Sequence, residues 1–321
     1  MNELPIRYVG MDYFDRTRPL MDGTVQPTGI ALEYQRMEGE RFGGFDDWPE
    51  ADAVEMSVSK YLTVLGQGDQ RGIALPVFVS RAFRLDGIYL RADSPIREPR
   101  DLIGRKVGIS DYQRTAALWQ RGILLHEYGI QPRDLAWYQT SPDVAHPPGV
   151  SITALAPGTS LAELLMNGEI DALFHGAQPP ALPAGAVGLR RLFPNWIEVE
   201  QDYYRRTGHF PIMHLVVLRR DLYAQHPWIA SSLRDAFARA KAIGWQRVLH
   251  ANTPAVMLPW LSHHLAQIEA LMGPDHWPYG LAENYQTLDT MCQLHFEQGL
   301  SGRRLQPEEL FAAETESQSG R

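Results

Sequence analysis

The chain has 321 residues, enough for about two domains of roughly 150 residues or one large α/β unit. Its 44% hydrophobic and 21% charged residues exclude a chain disordered over most of its length. Its net charge of −8, without any Lys/Arg-rich block, argues against a nucleic-acid partner.

A single cysteine, Cys292, excludes an internal disulfide and any multi-cysteine zinc site. No apolar run approaches the roughly 18 residues needed to span a bilayer, so no membrane partner is expected. The start, Met1 to Arg7, has neither a basic nor an apolar leader region, and the expectation is a cytoplasmic protein. Arg outnumbers Lys 27 to 3. Two readings stand: GC-rich coding, or planar recognition of carboxylates, for which Arg is the better residue.

In chain order, Leu4 to Val9 and Ala53 to Met56 read as strands. Ser57 opens a helix through Tyr61, Leu62 and Leu65, closed by Gly66 and Gly68. Lys106 to Ile109 is a strand leading to Ser110-Asp111, an N-cap pair for a helix running to Tyr128, with Gly129 at its C-terminal cap. Thr159-Ser160 cap a helix over Leu161 to Met166, stopped by Asn167-Gly168. Ile170 to Phe174 is then a strand with His175 at its carboxyl end. Ile212 to Leu218 is a strand, and Pro227 starts a helix over Trp228 to His250 with Leu233, Phe237, Ala240 and Gly244 on one face. Pro254 to Leu310 reads as helical with breaks at Gly273-Pro274 and Pro278-Tyr279-Gly280, and Ala312 to Arg321 as a frayed tail. Short apolar runs alternating with helical patterns predict an α/β fold with mixed, mostly parallel sheets.

Three strand-to-helix junctions, at Glu55-Met56-Ser57-Val58-Ser59, Ser110 to Thr115 and Pro157 to Ser160, deliver helix N-termini to the carboxyl edge of a sheet. Parallel sheets bind ligands at that edge, and helix N-termini favour anions.

Several long segments carry a more specific signal. They are Val54-Glu55-Met56-Ser57-Val58-Ser59-Lys60-Tyr61-Leu62; Leu75 to Arg84; Gly104 to Ile109 leading into Tyr112-Gln113-Arg114-Thr115-Ala116-Ala117; and Phe210-Pro211-Ile212-Met213-His214 running on to His226 to Ala230. Ala270 to Gly273, Trp277 to Leu281 and Glu297 to Ser301 complete the set. Together and in this order they resemble the 4,5-dihydroxyphthalate decarboxylase family over nearly the whole chain. The resemblance implies a type 2 periplasmic-binding-protein-like fold with two α/β lobes and a ligand cleft between them. Residues 1–91 and 212–321 would form lobe I and the inserted 92–211 lobe II, with Ile88 to Arg91 and Ile212 to Leu218 at the crossings.

The resemblance also implies an enzyme of aromatic catabolism, a carboxy-lyase of phthalate degradation. It would convert 4,5-dihydroxyphthalate to 3,4-dihydroxybenzoate and carbon dioxide. Direct loss of carbon dioxide would leave an in-plane carbanion that the ring cannot delocalise. A hydroxyl para to the departing carboxylate can instead push electrons to the ipso carbon while an acid protonates it, and no organic cofactor is needed. Such a site requires cations or N–H donors for two carboxylates, a proton donor and an acceptor at the phenol.

Arg81 and Arg84, three apart after an apolar strand, are the first candidates for carboxylate clamps; pairing with surface acids is the alternative. Arg114, in the first turn of its helix, fits an anion ligand or an exposed cation. Ser57, Ser59 and Thr115 are hydroxyl donors or simple caps, and Tyr112 is an additional site hydroxyl. His214 and His175 are candidate proton donors, or structural histidines. Glu55 is an acceptor for a catechol hydroxyl, or a cap or ion-pair partner.

The histidines lack metal spacing: His263-His264 are adjacent, and His209 and His214 lie five apart. A divalent metal on His175, His214 and Glu55 is the alternative to a metal-free site. Two departures from the expected family pattern leave a related hydroxylated aromatic acid with a different substituent pattern as an alternative substrate. Phe174-His175-Gly176-Ala177-Gln178-Pro179-Pro180 stands where an Arg-containing turn is expected, and Asp86-Gly87 where a His-Ser pair is expected. The alternatives to the decarboxylase are a non-catalytic aromatic-acid binding protein and a related enzyme acting on another aromatic acid. A homo-oligomer is compatible with the sequence.

Overall fold

A computed structural model describes residues 3–39, 41–142, 145, 147–176, 181, 188–249 and 256–313. Among these residues the strands are β1 (Leu4–Gly10), β2 (Ile30–Arg36), β3 (Ala53–Ser57), β4 (Gly72–Arg81), β5 (Ile88–Arg91), β6 (Lys106–Ile109), β7 (Ala136–Gln139), β8 (Ser151–Ala154), β9 (Ala172–Phe174), β10 (Leu189–Arg191) and β11 (Ile212–Arg219). The chain divides into two compact units. The first comprises Met1–Arg81, Ile212–Asp289 and Leu305–Arg321, and the second Ala82–Pro211 and Thr290–Arg304.

This division corrects the sequence-based boundaries. The segment 82–91 belongs to the second unit because β5 pairs antiparallel with β9 and β10. Residues 290–304 also belong there. Leu294 packs so tightly on Gly122 that a Cβ at that glycine would lie 2.4 Å from its Cδ1.

In the first unit the sheet order is β2-β1-β3-β11-β4. β1 runs parallel to β2 and β3, whereas β11 is antiparallel to both β3 and β4. The carboxyl ends of β1, β3 and β4 therefore share one edge with the start of β11. The apolar residues of β3 and β4 are buried almost throughout, as expected of strands covered on both faces. Helix Val58–Gly66 starts as predicted, with the Ser57 hydroxyl accepting the Lys60 N–H at 3.5 Å. Helix Trp228–Leu249 buries Ile229, Leu233, Phe237, Ala240 and Gly244. Gly244 has a specific reason: a Cβ there would lie 2.2 Å from the Asp15 carbonyl oxygen, so the 11–17 loop seats directly on this helix.

In the second unit the order is β10-β5-β9-β6-β7-β8, parallel from β9 to β8. The helix after β6 begins later than predicted, at Thr115 rather than after Ser110-Asp111. Asp111 spends its carboxylate on a local turn, accepting the Gln113 N–H at 2.8 Å, and Arg114 takes the N-cap position without a side-chain cap. Gly129 closes the helix at φ 69° as expected. Ser160 caps helix Leu161–Met166 by accepting the Glu163 N–H. Helix Trp196–Thr207 was not read from the sequence.

The helices Leu261–Met272 and Tyr285–Glu297 are separated at the predicted breaks, with Gly273 and Gly280 at positive φ. The predicted ends at His250 and Pro254, the residues Ala177 to Pro180 and the tail beyond Ala313 lie outside the described residues. Among the described residues, five of nine strand pairings are parallel. No helix there is long and apolar enough to cross a membrane.

Candidate active site

Glu55 lies in β3 with its side chain fully buried, yet three donors converge on it. The Met11 N–H donates to Oε2 at 2.9 Å, and the Tyr13 hydroxyl donates to Oε1 at 2.7 Å. His214 Nδ1 lies 2.7 Å from the same Oε1. Antiparallel pairing of β11 with β3 creates this contact, since it sets His214 opposite Ser57, two residues beyond Glu55. A carboxylate only accepts, so Nδ1 carries the hydrogen and Nε2 is the nitrogen left to exchange a proton. The His214 side chain is 16% exposed, and one face of its ring is covered by Phe42, with centroids 3.9 Å apart.

The loop from Met11 to Thr17 supports this pair. Thr17 Oγ1 accepts the Tyr13 N–H at 2.9 Å and donates to the Met11 carbonyl at 3.1 Å. The Tyr34 hydroxyl donates to that same carbonyl at 2.6 Å, so the residue whose N–H holds Glu55 is anchored through its carbonyl as well. Burial, then the charge of Glu55, pushes the Tyr13 phenol far above its ordinary range, so it remains a donor. Sequence reasoning missed Met11, Tyr13, Tyr34 and Phe42. The available signal was Gly10-Met11-Asp12-Tyr13 following the carboxyl end of the first strand, where ligand loops of parallel sheets arise.

The other predicted residues of the first unit take different positions. Ser57 caps its helix beside His214. Ser59 is buried in the first turn of that helix, where its carbonyl accepts the Thr63 hydroxyl. Arg81 is buried at the end of β4 and donates through Nη2 to the Pro278 carbonyl at 2.8 Å and to Asn284 Oδ1.

In the second unit, Tyr112 and Thr115 are buried on either side of the exposed Arg114. Arg121 lies over the Tyr112 ring, 3.6 Å from its centroid, and donates to the Tyr112 carbonyl at 2.8 Å. Burial pushes the Tyr112 phenol up. Arg84 and His175 are brought together by Gln120, whose Nε2 donates to the carbonyl of Arg84 at 2.9 Å and of His175 at 3.5 Å. A separate cavity of about 290 Å³ in this unit includes none of these residues; its wall carries Glu127, Glu198 and Asp202 against one cation, Arg206, which already pairs with Glu127 and Asp202. Among the described residues no three His, Cys, Asp or Glu side chains are grouped as metal ligands; Glu55 and His214 are joined to each other, while His175 belongs to the second unit.

No family model matches the chain. It is 36% identical over 314 residues to a 4,5-dihydroxyphthalate decarboxylase of Comamonas testosteroni, covering 94% of this chain and 95% of that protein. The chain belongs to the 4,5-dihydroxyphthalate decarboxylase family. A second member, the 4,5-dihydroxyphthalate decarboxylase of Pseudomonas putida, is 32% identical over 220 residues, 65% of this chain and 84% of that protein.

The fold of this family member recurs in distant solved structures. The putative sulfonate-binding protein SsuA of Methylobacillus flagellatus superposes with a TM-score of 0.55 at 14% identity, covering 97% of this chain and 92% of the other. The periplasmic aliphatic sulphonate binding protein SsuA of Escherichia coli gives 0.53 at 13% identity, covering 97% and 98%. These likenesses establish the type 2 periplasmic-binding-protein-like fold, and fold alone does not carry function.

Proposed function

We propose that this chain decarboxylates a hydroxylated aromatic dicarboxylate, 4,5-dihydroxyphthalate, to 3,4-dihydroxybenzoate and carbon dioxide. The observation that carries the chemistry is the His214 imidazole held through Nδ1 by the fully buried Glu55, at the edge where β1, β3 and β4 end. Family membership supplies the substrate class.

In the proposed reaction, the hydroxyl para to the departing carboxylate pushes electron density to the ipso carbon. The His214 imidazolium delivers its Nε2 proton there. The bond to the carboxylate then breaks, its electron pair restores the aromatic ring, and carbon dioxide leaves. One proton is consumed per turnover, and Nε2 is reprotonated from solvent. Glu55 holds the imidazole in one tautomer and stabilises its charged form, the role of the buried acid in a catalytic triad. That is a different role from accepting a substrate hydroxyl proton. Met11 and Tyr13 engage both carboxylate oxygens, which supports it.

Arg84 and Arg114, with the helix N-terminus at Thr115, are the anion-binding groups proposed for the second unit. His175 is an exposed side chain at the end of β9 and is the second candidate for a proton-carrying group.

The test is incubation with 4,5-dihydroxyphthalate in D2O. Equimolar carbon dioxide and 3,4-dihydroxybenzoate carrying one deuterium at the vacated carbon are expected. His214→Asn should lower kcat by about 100-fold or more while leaving substrate affinity nearly unchanged. Unaltered substrate that nonetheless raises Tm would overturn catalysis in favour of a binding protein.

A further inference from the structure

An aromatic dicarboxylate, the substrate class on which this inference rests, needs a cation near the group that protonates it. The first unit holds one that the sequence did not single out. We infer that Arg16 is a carboxylate ligand of the substrate, presented beside His214 by an aromatic clamp. Its guanidinium lies 3.8 Å from the Tyr13 ring centroid and 4.6 Å from that of Trp277, so two aromatic faces set its plane.

Two links place Arg16 at the same sheet edge as His214. Its Nε donates to the Val79 carbonyl at 2.7 Å, and the next residue, Ser80, stands opposite His214 in the β4–β11 register. The Tyr13 ring beneath it reaches Glu55 Oε1, the atom that also holds His214 Nδ1. The backbone is fixed as well, because a Cβ at Gly244 would meet the Arg16 nitrogen at 3.0 Å.

Of the guanidinium donors, Nε is taken by Val79 and Nη1 by Asp15 Oδ1 at 2.5 Å; Nη2 has no hydrogen-bond partner among the described residues. The Arg16 side chain is only 13% exposed, so its fork is pre-organised with little rotamer freedom left to lose on binding. Asp15, 31% exposed, is a competitor for the cation, and a sequence-adjacent ion pair of this kind contributes little stability by itself. Arg81 contrasts with it: Pro278 and Asn284 take up its Nη2 inside the protein.

The test is calorimetric titration of the full chain with phthalate, which carries both carboxylates and lacks the hydroxyls needed for turnover. Arg16→Gln should weaken binding by about 30-fold or more, and Arg16→Lys, which keeps charge but loses the planar fork, by an intermediate amount. Asp15→Asn should tighten binding by about two- to fivefold, since it removes the competing carboxylate. A structural ion pair would make Asp15→Asn and Arg16→Gln fail alike.

Equal affinity in wild type and Arg16→Gln, or parallel losses in the two variants, would overturn the assignment. Should Arg16→Gln not fold, Asp15→Asn decides: weaker or unchanged phthalate binding overturns it. A wild type that binds no phthalate overturns both Arg16 and the substrate class. A wild type that binds phthalate but releases no carbon dioxide from 4,5-dihydroxyphthalate overturns the decarboxylase reading alone.

Discussion

Gly87 and His175 meet backbone to backbone. The His175 N–H donates to the Gly87 carbonyl at 2.8 Å, and a Cβ on residue 87 would stand 2.3 Å from the His175 carbonyl oxygen. These two positions belong to the two segments that depart from the expected family pattern. They are therefore one coupled feature: the strand end carrying His175 can lie where it does only because residue 87 has no side chain. Asp86, beside it, is buried, and the carbonyls of Arg84 and His175 share the amide of Gln120.

Replacing Gly87 with Ser, the residue expected from the family pattern, should destabilise the protein by about 1–3 kcal/mol, because backbone rather than a flexible side chain must give way. A thermal melt checks this, and a Tm equal to that of wild type would contradict the coupling.

Glu55→Gln should keep the volume of the side chain while removing the charge that pairs with His214. An expected loss of about 100-fold or more in kcat, with KM little changed, follows from a neutral imidazole no longer held in one tautomer by a buried carboxylate. Steady-state kinetics separate this from a binding defect, which would raise KM instead.

Burial, and then the nearby Asp86 carboxylate, push the Glu200 carboxyl up to about 7. Its Oε1 accepts the N–H groups of Leu85 at 2.8 Å and Asp86 at 3.2 Å. The folded protein thus holds this proton up to about pH 7, whereas the unfolded chain releases it near the ordinary value of 4.5. More protons are bound in the folded state across that window, so stability falls as pH rises through it and stays lower above. The contribution is at most about 3 kcal/mol. Glu200→Gln, which keeps the acceptor oxygen, should flatten the decline of Tm between pH 5 and about 8; an unchanged slope would contradict the assignment.

Arg81→Ala and Asn284→Ala should each lower stability by about 1–3 kcal/mol, because each strands a buried hydrogen-bonding partner. Asn284 also donates to the Pro278 and Gly280 carbonyls, at 3.0 and 2.8 Å. The double variant should lose less than the sum of the two, which chemical denaturation of all three proteins measures.

Much of the architecture was legible in the sequence because its signals are short-ranged. Ser57 and Ser160 cap helices by accepting an N–H three residues on, and Gly129 closes a helix at positive φ. The same local chemistry misled at Asp111, where an oxygen suited to a helix cap is satisfied two residues away in a turn. The unit boundaries were harder to read. β5 is an ordinary apolar strand, and only its antiparallel partners β9 and β10 assign it to the second unit.

The site divides along the same line. Glu55 and His214 could be singled out because each sits in a segment that resembles the family, but their contact joins residues 159 apart. Tyr13 and Met11 reach Glu55 across 42 and 44 residues and belong to no motif.

From the amino-acid sequence alone came the α/β class, most strand and helix positions, the family, and the residue types fit for an anionic aromatic substrate. All of these depend on periodicity, capping and turn chemistry within a few residues, or on extended likeness along the chain. Only the tertiary structure decided how the polar groups are shared. Glu55 goes to His214, Tyr13 and Met11, and Arg81 Nη2 to Pro278 and Asn284, while the Arg16 guanidinium is clamped between Tyr13 and Trp277. The reason is physical: a buried polar atom takes the partners that folding brings within about 3 Å, and distant segments supply those partners.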